Sequence, residues 1–376
     1  MNTGNRWDIF CTVVDNYGDI GVCWRLARQL ATERGHSVRL WLDSLPSLCR
    51  LVPEARSDTP SQWLDQVEVR HWPGEFPDTS AADVVVEAFA CELPPNYLKA
   101  MTQHATPPVW INLEYLSAEP WIEEVHRLGS PHPSLPLTKH FFFPGFTKQS
   151  GGLIREVGIG PGCPEADVGP LRERLGLTEA PDAELTVSLF AYENAAITGL
   201  LDIWSRSDRP ICCLVPEGRQ RANVLASLGM PGNHEGLCRH GNLTIHLIPF
   251  LPQRDYDTLL RMADLNFVRG EDSFVRAQWA MHPFVWQIYP QAGDAHWTKL
   301  EAFLDRYLAN LPVAAAEACK SFWQAWNEQG DAAAAWYDFA TALPILAGHA
   351  VPWAEKLAEA GDLATNLEKF AGSILA

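Results

Sequence analysis

Residues 7–31 read WDIFCTVVDNYGDIGVCWRLARQLA, and this stretch decides the fold. Trp7–Val14 is an apolar, partly β-branched run of the length of a buried strand. Asp15–Gly21 breaks it with polar residues and two glycines. Val22, Leu26 and Leu30 then recur every four residues, which draws one apolar stripe along a helix over 22–34. Gly35 supplies a C-cap, and Ser37–Asp43 resumes as a second strand. Strand, loop, helix and strand in this order form a βαβ unit.

Outward from this unit the same alternation continues. Apolar runs at Val67–Trp72, Asp83–Phe89, Val109–Leu113 and His140–Phe143 predict further strands, and the alternation favours a mostly parallel sheet covered on both faces. Between Phe143 and Asp182 glycines and prolines, nine of them from Pro144 to Pro164, interrupt regular structure and place a domain junction there. The pattern restarts with Leu185–Phe190, Ile211–Val215, Leu243–Ile248, Asp264–Val268 and Phe284–Tyr289. Helical stretches such as Ala195–Ser205 and Arg219–Leu228 separate them. After Ala295 only helices are predicted. At 376 residues the chain exceeds the roughly 250–300 at which one core stops growing, which also argues for two α/β domains.

Composition narrows the function classes. A hydrophobic fraction of 47% with 20% charged residues is globular usage and leaves no room for long disordered tracts. The net charge of −17 disfavours nucleic-acid backbone binding and suits a cationic acceptor, although solubility explains the same charge equally well. Nine scattered cysteines with no CxxC fit reduced thiols in a cytoplasmic protein. No signal peptide opens the sequence and no apolar run is long enough for a membrane span.

Open α/β sheets bind ligands at the carboxyl ends of their strands, which directs attention to two loops. The first is Asp15-Asn16-Tyr17-Gly18-Asp19. It lacks the GxGxxG that lets a backbone approach a dinucleotide pyrophosphate, and its two carboxylates repel phosphate. They suit proton abstraction or a cation, while the plainer reading has Asp19 capping the helix and Asp15 closing an Asx-turn. The second is Arg269-Gly270-Glu271-Asp272-Ser273, ahead of a helix over Phe274–Met281. Free N–H groups there could bind a diphosphate, with Ser273 either capping the helix or donating to phosphate. Phe190, Tyr192, Phe250 (before Gln253) and Tyr289 stand near strand ends, where an aromatic ring stacks on a base or simply fills the core. Asp255-Tyr256-Asp257 has the form of a metal-binding DxD but opens a helical stretch, where acidic residues are at home. His234, Cys238, His240 and His246 lack zinc spacing.

The sequence resembles the EarP family, bacterial protein-arginine rhamnosyltransferases acting on translation elongation factor P. The resemblance rests on residues 7–31, on WINLEYLSAEPW at 110–121, on FFFPGFTKQSGGLIRE at 141–156 and on RGEDSFVRAQWA at 269–280. It implies a GT-B fold, two Rossmann-like domains facing across a cleft, with residues 1–160 on the acceptor side and 161–350 holding the nucleotide sugar. Residues 351–376, with a helix over Trp353–Phe370, are expected to cross back to the first domain. The resemblance further implies TDP-β-L-rhamnose as donor, inversion at the anomeric carbon, and no metal or other cofactor. Asp15, Asp19 and Glu271 map onto the family's functional carboxylates. Asn16, Tyr17, Gly18, Tyr192, Gln253 and Arg269, Gly270, Glu271, Asp272 and Ser273 map onto its donor contacts. Asp19 is then expected to act as general base and Asp15 to orient the acceptor, with Glu271 holding donor or acceptor. The rival readings are a nucleotide-sugar-binding module without turnover and an NAD(P)-dependent oxidoreductase.

Overall fold

The computed structural model describes residues 4–14, 17–72, 74–164, 167–177 and 184–376. The chain divides into two compact units, the first running through Ile159 and regaining Lys356–Ala376, the second comprising Gly160–Glu355.

In the first unit the chain runs β1 (Arg6–Cys11), α1 (Gly18–Thr32), β2 (Ser37–Leu42), α2 (Leu45–Leu51), β3 (Ser61–Leu64) and β4 (Val67–His71). It continues with β5 (Val84–Ala88), α3 (Pro95–Met101), β6 (Val109–Leu113), α4 (Trp121–Val125), β7 (Gly129–Pro131) and β8 (Thr138–Phe142). The sheet order is β3-β4-β2-β1-β5-β6-β8-β7. Only the short outer strands β3 and β7 are antiparallel, and no apolar run announces them in the sequence. β5 and β6 are buried at every position, as central strands covered on both faces must be. The chain leaves β1 for β2 on one side and later crosses to β5 on the other, so the carboxyl ends of β1 and β5 flank a topological switch point.

A carboxylate on β1 lies inside this core. Asp8 on β1 is fully buried, and Arg39 grips both carboxylate oxygens at 2.6 and 2.5 Å while the Tyr97 hydroxyl donates a third bond. Burial and that carboxylate push the Tyr97 phenol well above its ordinary range, so it stays a donor.

The second unit contains α5 (Gly169–Arg174), β9 (Leu185–Leu189), α6 (Ala196–Ser205), β10 (Ile211–Pro216), α7 (Gln220–Ser227), β11 (Gly236–His240) and β12 (Leu243–Ile248). There follow α8 (Gln253–Met262), β13 (Leu265–Arg269), α9 (Asp272–Ala280), β14 (Phe284–Gln287), α10 (Ala295–Leu308), α11 (Val313–Trp326) and α12 (Ala332–Ala358). Its sheet order, β11-β12-β10-β9-β13-β14, repeats the design, with the switch point between β9 and β13.

The C-terminal expectation needs correction. Trp353–Phe370 is not one helix: α12 ends at Ala358, Gly361 turns the chain at φ +80°, and Asp362 caps α13 (Leu363–Leu375) by accepting from Thr365 N at 2.9 Å. Trp353 donates to Gln278 Oε1 in the second unit, whereas α13 is tied into the first. Leu363 N reaches Leu153 O at 3.0 Å, Asn366 reaches Gly151 O at 3.0 Å, and Arg34 pairs with Glu368.

α1 is anchored beneath by Glu156, whose Oε1 takes Arg28 at 3.0 Å and the fully buried Arg25 at 3.3 Å. Gln29, one turn on, donates to Arg155 O at 2.8 Å and to Asp362 at 3.2 Å. Neutralising Glu156 takes a shared carboxylate from both arginines of a buried group. Glu156→Gln should therefore destabilise the first unit by about 3–5 kcal/mol in denaturant melts, well beyond the roughly 0.5 kcal/mol of an ordinary surface change. A loss that small would show that the two arginines are neutralised by other means.

Candidate active site

At the edge of the first unit, α1 begins at Gly18 with Tyr17 as N-cap, whose side chain makes no capping bond. Asp19 lies inside the first turn, 3% exposed, and its Oδ2 accepts from Val14 N at 2.8 Å. The capping reading of Asp19 therefore gives way. Its carboxylate closes the loop that leaves β1, at the positive end of the helix. Tyr17 is half-buried and its carbonyl takes the Gly21 N–H. Asp15 and Asn16 lie outside the described residues.

The neighbouring loops at this edge hold a feature that the sequence reading passed over. Phe89, just past β5, and Tyr115, just past β6, stack with ring centroids 4.4 Å apart and planes 18° from parallel. Phe89, Ala90 and Glu92 all have positive φ, at 56°, 54° and 52°. The available signal was the quoted segment 110–121 itself, where a polar and aromatic pair, Glu114-Tyr115, ends an apolar strand.

In the second unit the candidate donor residues converge on the carboxyl edge of the sheet. Gly270, at φ +62°, turns the chain out of β13 toward α9, which begins two residues on, and its carbonyl accepts from Trp286 Nε1 at 2.7 Å. Any other residue there carries the cost of a left-handed backbone. Glu271 is the N-cap position of α9 and Asp272 lies in its first turn. Ser273 neither caps the helix by its side chain nor points away: its hydroxyl accepts from Arg269 N at 3.1 Å and donates to Arg269 O. Gln253 opens α8, and its Nε2 donates to Asp272 Oδ2 at 3.3 Å, so the N-terminal ends of α8 and α9 are joined by side chains. Beneath them Arg276 of α9 grips Asp257 of α8 through two bonds, at 3.0 and 2.8 Å.

Arg269 is the centre of this group. Its guanidinium carbon lies 4.5 Å from the ring centroids of both Phe190 and Tyr192. Phe190 and Tyr192, both expected to stack on a base, thus each hold one ring against an arginine. Phe190 also meets Tyr256 edge-on at 5.4 Å, and Tyr192 meets the exposed Tyr289 edge-on at 5.5 Å. Gln287 Oε1 fixes the Tyr192 backbone by accepting its N–H at 2.8 Å. Phe250 stands half-buried beyond β12. Two helix N-termini and a held guanidinium are groups of the kind that suit a diphosphate.

The DxD-like carboxylates are engaged by arginines, Asp257 by Arg276 and Asp255 by Arg174 at 2.5 Å. Cys238 and His246 fall opposite adjacent ladder positions of β11 and β12, which alternate faces. Among the described residues no cluster of three or more His, Cys, Asp or Glu could hold a metal, and no helix is long and apolar enough to cross a membrane.

The family model of the elongation factor P rhamnosyltransferase EarP matches residues 7–372. A protein-arginine rhamnosyltransferase of Pseudomonas putida is 47% identical over 370 residues, covering 97% of this chain and 98% of that protein. One from Pseudomonas aeruginosa is 47% identical over 373 residues, with the same coverage. A solved structure, described as the structural basis for EarP-mediated arginine glycosylation of translation elongation factor EF-P, is 35% identical, with TM-score 0.69 over 98% of this chain and 99% of that one. The spinosyn rhamnosyltransferase SpnG, 11% identical with TM-score 0.52 over 97% of this chain and 99% of its own, shares the fold alone. By its two doubly wound units and by sequence along nearly its whole length, the chain belongs to the EarP family of glycosyltransferases.

Proposed function

We propose that this enzyme transfers L-rhamnose from TDP-β-L-rhamnose to an arginine side chain of translation elongation factor P, with inversion at the anomeric carbon. The observation that carries this reading is the buried carboxylate of Asp19, held at a switch point by Val14 N and not used for helix capping. The domain assignment follows: residues 1–160 serve the acceptor, 161–350 the nucleotide sugar, and the C-terminal segment completes the first unit.

Arginine is a poor nucleophile because its guanidinium keeps its proton up to a pKa of about 12.5–13.8. Asp19 takes a proton from the attacking nitrogen as that nitrogen bonds to the anomeric carbon. The bond to the diphosphate oxygen breaks on the opposite face, and one displacement inverts the configuration. Asp15 orients the guanidinium, and Glu271 holds the sugar from the start of α9. Charge growing on the leaving TDP is met by the helix N-termini and Arg269. Asn16, Tyr17 and Gly18 border the sugar, while Phe190, Tyr192, Phe250 and Tyr289 enclose the thymidine beside Gln253, Asp272 and Ser273. No metal is needed for this route.

Three outcomes test it. TDP-rhamnose at a hundred times its Kd should stabilise the fold by about 2.7 kcal/mol, and UDP or NAD at equal concentration by clearly less. Equal thermal shifts would remove the thymidine selectivity. Intact mass should show one deoxyhexose added to elongation factor P, and none when the acceptor arginine is lysine, which lacks the planar fork a carboxylate grips. A modified lysine variant would place the sugar elsewhere. Asp19→Asn should cut single-turnover transfer by about 10²–10⁴-fold while donor affinity holds. Near-normal transfer would sink Asp19 as the base and leave Glu271 as the next candidate.

A further inference from the structure

The stacked Phe89–Tyr115 pair has no part in the chemistry above, and it stands at the same sheet edge as Asp19. β1, β5 and β6 are neighbours, so the loops that leave their carboxyl ends lie side by side. The turn after β5 is tied to β1 itself, where the Cys91 thiol donates to Phe10 O at 3.3 Å. Both rings are half-buried, and the turn that begins at Phe89 is exposed at Ala90 and Glu92.

Core packing alone does not explain how the pair is built. Three non-glycine residues within four positions take positive φ, each a conformation that costs about 1–2 kcal/mol. Such strain persists only where surrounding bonds over-determine it. Here Phe89 N is held by Leu113 O at 2.7 Å and Cys91 N by Ala88 O at 3.2 Å. The buried Asn112 accepts from Ala90 N at 3.3 Å with its oxygen and donates to the Glu114 carboxylate with its nitrogen. One amide therefore locks the strained turn to the segment that carries Tyr115.

We propose that Phe89 and Tyr115 form the platform on which the acceptor arginine lays its guanidinium, beside the Asp19 carboxylate. This rests on the arginine-transfer reading above. A guanidinium is planar, stacks on aromatic faces and is weakly hydrated, whereas a lysine ammonium has no plane to stack. Phe89 and Tyr115 are positioning residues: they fix the plane of the group so that one nitrogen is presented to the base.

The test measures acceptor KM, kcat and TDP-rhamnose affinity for the full chain with elongation factor P. Phe89→Leu and Tyr115→Leu should each raise acceptor KM by roughly 3–30-fold, the range of a cation–ring contact, with donor affinity unchanged. Tyr115→Phe, which keeps the ring, should recover most of that loss. Wild-type acceptor KM in either leucine variant, or donor affinity falling in parallel, overturns the platform. Should a leucine variant fail to fold, Phe89→Met and Tyr115→Met, which fill the space without a ring face, should still raise acceptor KM by about threefold or more. An unchanged KM there overturns the proposal too. Absence of any transfer by the wild-type chain is a different result, because it removes the functional reading on which the platform stands.

Discussion

The burial of Arg25 against Glu156 is the constraint on which the first unit turns. A guanidinium with no solvent exposure is tolerable only beside a carboxylate, and Glu156 brings one from a segment more than a hundred residues away. The pair therefore fixes two things together. It holds α1 in one axial position under the sheet, and it draws the 150s segment, with Gly151 and Leu153, into the place where α13 docks. Asp19 inherits its position from that helix. A shift of α1 along its axis would move the carboxylate out of reach of Val14 N and uncover a buried charge in the same motion, so the candidate base and the core are stabilised as one.

The two units handle charge in contrasting ways. In the first, a negative group is kept ready at the end of a strand, held by backbone and by a helix N-terminus. In the second, the same topology gathers positive character: two helix ends joined through Gln253 and Asp272, with Arg269 clasped between two aromatic rings. One fold thus supplies a site suited to a cation and a site suited to a diphosphate. The difference lies in a handful of loop residues and not in the sheets beneath them.

Much of this was legible in the sequence because it was periodic. Val109–Leu113 and Leu243–Ile248 emerge as strands with the bounds their apolar runs imply, and the α1 stripe of Val22, Leu26 and Leu30 is the buried face. β3, β7 and β11 were illegible because their stability comes from pairing at a sheet edge, which leaves no apolar signature. The C-terminal break was missed because Gly361 and Asp362 end one helix and begin the next within two residues, and helical spacing on either side conceals the turn. In the site, residue types pointed to the loops but not to what each side chain holds. Asp19 looked equally like a cap, and Ser273 like a phosphate donor, until hydrogen-bond partners distinguished them. The positive φ of Phe89, a residue type that rarely adopts it, is a property of tertiary context alone.

The discontinuity of the first unit has a consequence for how the protein is made. Its closing segment, Lys356–Ala376, leaves the ribosome only after the whole of Gly160–Glu355 has been synthesised. At bacterial rates of about 5–20 residues per second, that interval lasts on the order of 10–40 s. Throughout it the first sheet is assembled but unsealed: His140 and Phe142 await Phe370, and the carbonyls of Gly151 and Leu153 await α13. The nascent chain thus displays an apolar, hydrogen-bond-hungry seam for as long as its second half takes to emerge. The order of translation, as much as the final fold, therefore decides when the first sheet gains its α13 cover.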